Sequence, residues 1–183
     1  MTVLETILSN TYTTVDLNRR LARAREFVEY FVYRQTDDKE SIIKNSALID
    51  ELELFLERKG EKERDVTAIC EWGESAWTTL ATKDPSEQFK NLSRLIENLP
   101  IIDLYLPHKL PDEALDAIGE QFREKFGRYV ILDVRISSKM IGGCAFSFQG
   151  HYYDYSFQKR AESHHAEITE MVKNIGRDQA VAE

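Results

Sequence analysis

The hydrophobic period of this chain changes once, at Pro100, and that change decides its fold class. Before it, apolar residues recur every three or four positions, the spacing of one helix face. Leu17, Leu21, Ala24, Val28 and Phe31 form the first such stripe, and Ile43, Ala47, Ile49, Leu52, Phe55 and Leu56 the second. Val66, Ile69, Cys70, Gly73, Trp77 and Leu80 predict a third helix, and Phe89, Leu92, Leu95, Ile96 and Leu99 a fourth. After Pro100, Ile102, Leu104 and Leu106 alternate as in a half-buried strand. Val130, Leu132, Val134 and Ile136 do the same with Asp133 and Arg135 outward, and Cys144, Phe146 and Phe148 alternate with Ala145, Ser147 and Gln149. Helical spacing returns at Leu115, Ile118, Phe122 and Phe126, and again from Phe157 through Ala161, His165, Ile168 and Met171. The expected fold is α+β: an amphipathic helical bundle, then a small β-α-β-β-β-α module.

Local signals place the boundaries. Thr13 or Thr14 can cap the first long helix, Asp37 and Glu40 sit at capping-box spacing, and Gly60 stops the second helix. Asp84-Pro85 is a strong start, because proline at the first helical position lacks an N–H that would go unpaired. A further short helix is expected at Leu4–Ser9, and Gln149-Gly150 reads as a tight turn into a stub at Tyr152 and Tyr153. The domain reading is a bundle over 1–100, a small α/β module over 101–176 and a frayed tail over 177–183.

Composition removes several function classes. With 24 basic and 32 acidic residues the net charge is −8, and both halves are acidic. Neither half offers the basic surface that nucleic-acid backbones require. No apolar run approaches the roughly 20 residues that span a bilayer. The segment MTVLETILSN carries an acid and no basic region, so no secretory signal or transit peptide is expected. Cys70 and Cys144 read as buried, reduced thiols.

Catalytic and cofactor motifs are sparse. Gly142-Gly143 lacks the third glycine and following helix of a dinucleotide site, so it reads as a strand corner where the backbone approaches closely. Asp154 is expected to open the last helix by accepting first-turn N–H groups, with Ser156 sharing the task. A Ser156 or Cys144 nucleophile with His151 has no supporting elbow motif. His164 and His165, adjacent on a helix, point apart and do not chelate one metal; one is expected packed and the other in water. Trp77 fits its helical stripe, whereas Trp72, five positions away, is expected on another face, partly exposed or part of a contact surface. Arg19, Arg20, Arg23 and Arg25 read as a solvated face balanced by nearby acids. No cofactor or metal is implied, and a non-catalytic binding role remains.

Residues 100 to 175 resemble the delta subunit of F-type ATP synthases, the family of the oligomycin-sensitivity-conferring protein, as a divergent member. The resemblance rests on Ile101–Leu106, Leu110-Pro111-Asp112-Glu113, Tyr129–Ile136, Met140-Ile141-Gly142-Gly143, and Asp154-Tyr155-Ser156 with Arg160. Tyr155 stands where the family commonly has glycine. The resemblance implies a peripheral-stalk subunit on the cytoplasmic face of the bacterial inner membrane, not an enzyme. Its bundle would hold N-terminal helices of the alpha subunits, and its C-terminal module would dock C-terminal helices of the b subunits. Gly142, Gly143, Asp154, Ser156 and Arg160 would be structural corners. Phe157, Ala161, Ile168 and Met171 would form the stalk-facing or core stripe, and Leu17, Leu21, Phe31, Phe89, Leu92 and Ile96 would line the bundle core or its groove. The alternatives are the E-type stalk subunit of vacuolar or archaeal rotary ATPases and an unrelated helical adaptor. The E-type subunit begins with one very long helix, which the breaks at Gly60, Asp84-Pro85 and Pro100 oppose.

Overall fold

The computed structural model describes residues 2–33, 47–81, 84–165 and 169–170. Among the described residues six helices come first: α1 (Val3–Leu8), α2 (Thr14–Tyr33), α3 (Ala47–Arg58), α4 (Glu63–Cys70), α5 (Gly73–Leu80) and α6 (Pro85–Glu97). Then follow β1 (Ile101–Leu106), α7 (Asp112–Phe126), β2 (Ile131–Ile136), β3 (Gly143–Phe148), β4 (His151–Ser156) and α8 (Phe157–Ser163). The α+β class and the β-α-β-β-β-α order after the bundle are those read from the period change. The expectations at Asp37, Glu40, Ile43, Ile168, Met171 and the tail fall outside the described residues.

The caps explain where the helices start. Thr2 and Glu5 exchange side-chain and backbone bonds in a capping box at α1. Thr13 Oγ1 accepts from Asp16 N at 3.1 Å, and Asp84 accepts from Glu87 N at 3.1 Å beside Pro85. Gly127, at φ +117°, ends α7 in a conformation that side chains resist.

Two units emerge, and their boundary is not a single point in the chain: 1–101 with 112–132, and 102–111 with 133–183. In the first unit Phe27 sits at the centre of the core, 5.5 Å from Phe55 and 5.6 Å from Trp77, ring to ring. Trp72 corrects the sequence expectation: it is 2% exposed and stacks on Trp77 at 5.4 Å. The third helix is two helices. Gly73, at φ +76°, breaks the path between α4 and α5, so a five-residue spacing no longer sends the two rings to different faces.

The arginine cluster is corrected in part: Arg23 and Arg25 pair with the nearby Glu26 and Glu29 as expected, but Arg20 does not lie on a solvated face. Arg20 is 1% exposed and pairs with Asp65, itself fully buried, at 3.0 Å. Its guanidinium also donates to Asn10 O at 2.7 Å and Thr11 Oγ1 at 2.8 Å. Arg19 bonds Asp65 and Asp16, and Arg64 joins Asp16 to Asp116 on α7. Asp16 is near in sequence, but Asp65 and Asp116 lie far away, so charge balance along the helix could not disclose them. Arg123 of α7 donates to the carbonyls of Leu8, Thr11 and Val130 and lies over the Tyr12 ring. Burial pushes its pKa down.

The four-stranded sheet has the order β2-β1-β3-β4. It is mixed: β1 runs antiparallel to β3 and β3 to β4. Ile131 N bonds Pro100 O and Ser137 N bonds Leu106 O, an offset that sets β2 parallel to β1. Ile102, Leu104 and Leu106 are buried as their alternation predicts. β2 departs from it: Val130, Ile131 and Leu132 are all buried, while Ile136 is 54% exposed. Leu132 N donates to Tyr12 O, and a parallel bridge to Thr13 covers the start of the strand but not its end. Ala145, expected outward, is fully buried. Tyr105 stands opposite it, and the Tyr105 and Tyr152 rings meet at 6.4 Å on that face.

Candidate interaction surfaces

In the second unit Gly142-Gly143 lies against the junction between β4 and α8. A side chain on Gly143 would place Cβ 2.3 Å from Tyr155 O and 2.9 Å from Ser156 Cα, at φ +81°. One on Gly142 would meet the Phe157 ring at 2.5 Å. Phe157 N donates to Gly142 O at 3.0 Å, closing the corner. No phosphate cradle is formed here, because a strand follows the glycines.

Asp154 does not open α8. It belongs to β4, and its Oδ1 accepts from Ser156 N at 2.8 Å, while Ser156 Oγ accepts from Lys159 N at 3.2 Å as the true N-cap. Bonds from the Ser156 side chain and backbone hold the Asp154 carboxyl below the usual range. The stub expected at Tyr152 and Tyr153 is a full six-residue strand. Its ends carry His151 and Ser156, about 16 Å apart at strand rise, so these residues do not assemble as base and nucleophile. Cys144 pairs with Tyr155 across the ladder rather than with His151. His164 and His165 are both exposed, correcting the expectation that one is packed.

Of the stripe residues, Leu17, Phe31, Phe89 and Leu92 are buried in the helical core, with Leu21 and Ile96 packed partly against it. Phe157 is 60% exposed, and Ala161 and Arg160 are exposed on α8. Two features were missed by the sequence reading. One is a groove of about 360 Å³ between α2 and α6, bounded by Arg25, Val28, Val32, Pro85, Ser86 and Phe89. The other is the apolar exposure around the glycine corner, where Ile141 is 84%, Tyr152 61% and Tyr155 59% exposed. A strand with tyrosines on both faces, as in HYYDYS, is the pattern that signals it. Among the described residues no helix is long and apolar enough to cross a membrane, and no three His, Cys, Asp or Glu side chains gather as metal ligands.

The described structure thus combines a helical unit with a surface groove and a small α/β unit bearing exposed apolar residues. Residues 81–168, just under half of the chain, match the family described as ATP synthase delta (OSCP) subunit. The chain therefore carries a delta/OSCP domain, and this supports a peripheral-stalk role in an ATP synthase, a membrane-associated complex. The match begins before Pro100, taking in α6 as well as the β-α-β-β-β-α module. No curated protein matches the chain.

Proposed function

We propose that the chain is the non-catalytic stator subunit that links the catalytic head of a rotary F-type ATP synthase to its stalk of b subunits and resists rotor torque. The delta/OSCP match across α6 to α8 carries this reading. The bundle, residues 1–100, receives the N-terminal helices of alpha subunits in the α2/α6 groove, whose floor is Val28 and Phe89. The module over 101–176 docks the C-terminal helices of b subunits through Phe157 and Ala161 of α8, with Ile168 and Met171 as further candidate contacts. Gly142, Gly143, Asp154, Ser156 and Arg160 serve as corners that fix where α8 starts. Resistance to torque needs slow dissociation, which helix-in-groove burial supplies and exposed ion pairs do not. The complex sits on the cytoplasmic face of the bacterial inner membrane, and this protein reaches it through partners without inserting.

Calorimetry of the full chain with a peptide copying the N-terminus of an alpha subunit tests the groove. Saturable heat is expected, with affinity at least tenfold weaker in Ser86→Trp, which fills the groove from an exposed position. Absence of heat at high micromolar peptide refutes this assignment. Phe157→Asp should weaken binding of a peptide copying the C-terminal end of a b subunit, without affecting the alpha peptide.

A further inference from the structure

The chain is acidic as a whole, yet its exposed apolar corner is not. Residues 137–161 carry three bases, Lys139, Lys159 and Arg160, and one acid, Asp154, a charge of +2 in a chain of −8. Bonds from Ser156 hold that acid, and Lys159 lies close enough to help keep it charged. Lys139 and Arg160 differ: both are exposed, and neither side chain is paired among the described residues.

These two cations border a preformed apolar surface. Phe146, nearly buried, stacks on Tyr153 at 4.7 Å and on Tyr155 at 6.1 Å, so both exposed rings are held before any partner arrives. The bond from Phe157 N to Gly142 O sets Phe157 beside the Ile141-Gly142 step. Arg160 follows Phe157 by three positions and so shares its face of α8, while Lys139 precedes Ile141 by two. An exposed apolar patch with a polar rim marks a protein-interaction site, and the sign of the rim selects the partner.

We propose that this surface takes an amphipathic helix whose apolar stripe is flanked by carboxylates, with Lys139 and Arg160 as the residues that select it. Resting on the stator reading, the proposal assigns that helix to the C-terminal end of a b subunit and requires that end to be acidic. Apolar contact with Tyr155 and Phe157 supplies most of the affinity; the two cations steer the helix and fix its register. A helix flanked by lysine and arginine is rejected even where its apolar stripe fits, because like charges then meet at the rim. The backbone of Arg160 serves α8, accepting from His164 N at 3.2 Å, and leaves the guanidinium to the partner.

Calorimetry of the full chain with a peptide copying the C-terminal end of a b subunit from the same ATP synthase tests it, with circular dichroism confirming each variant's fold. At low salt, Lys139→Glu and Arg160→Glu should each weaken binding about fivefold. Lys90→Glu, an exposed site on α6 that changes net charge equally, should leave the affinity unchanged. High salt should shrink the loss from both reversals, because it screens exposed charges. Should a reversed variant melt early, a peptide with its acidic residues changed to lysine decides on the wild type, where it should bind about tenfold more weakly. A b-subunit end without acidic residues overturns this proposal alone, and so does binding that is lost in Phe157→Asp but ignores the charge changes. No binding, or binding that also ignores Phe157→Asp, overturns the docking reading and this proposal with it.

Discussion

Arg20 Nε lies 3.0 Å from Asp65 Oδ1, and both side chains are 1% exposed although 45 positions separate them. Removing one partner of such a pair strands the other charge in the core. Asp65→Asn should therefore cost about 3 kcal/mol of stability. Burial alone would raise the Asp65 pKa; the bonds from Arg19 and Arg20 outweigh it and hold the pKa below its ordinary value. A depressed folded-state pKa gives stability that is fully present above the unfolded value, about 3.9, and is lost as pH falls through the folded one. The stability gap between the wild type and Asp65→Asn, measured by urea unfolding, should be constant near neutrality and narrow below about pH 4. A gap independent of pH down to the acid limit would show that Asp65 is not the charged partner.

Gly143 and Gly150 both adopt positive φ, +81° and +80°, but differ in what surrounds them. Gly150 has nothing within 4 Å of an added Cβ, whereas Gly143 faces the Tyr155 carbonyl at 2.3 Å. Gly150→Ala should cost about 1 kcal/mol, the ordinary penalty of the left-handed region. Gly143→Ala should cost clearly more, since the backbone of the β4/α8 corner must shift, and Gly143→Val more again. Thermal melts of the Ala pair isolate the contact from the dihedral. Equal losses would remove the corner from the account.

The two thiols are expected to be slow. Burial first, then the nearby Glu53 and Glu71 carboxylates, push the Cys70 thiol up to about 11, and burial raises Cys144. The thiolate is the reactive form, so at pH 8 about one Cys70 in a thousand is ready to react. A disulfide reagent should label the native chain slowly and both cysteines rapidly in denaturant. Fast labelling of the native protein would contradict the packing around α4.

Period and punctuation were legible where an element obeys one geometry from end to end. Ile102, Leu104 and Leu106 alternate and are buried, and Asp84-Pro85 announces α6. Legibility failed where distant contacts decide. Trp72 turns inward because one left-handed glycine divides a helix that its apolar spacing had joined. Arg20 is drawn into the core by an aspartate two helices away. Ile136 breaks its strand's pattern because cover from Tyr12 and Thr13 reaches only the strand's first residues. Asp154 looked like a helix cap by its place in Asp-Tyr-Ser, but the ladder with β3 carries the strand two residues further. The α2/α6 groove was hidden for a different reason. Phe89 belongs to the same apolar stripe as the core residues, and spacing along one helix does not show which part of the stripe a neighbouring helix covers.

The most direct test of the stator reading is the composition of the complex that holds this chain in its own cells. A tagged chain should be recovered after gentle solubilisation of membranes with the alpha, beta and b subunits in the proportions of an intact ATP synthase. Recovery from those membranes without any other part of the ATP synthase, while the enzyme is isolated complete through a tag on its beta subunits, would contradict it.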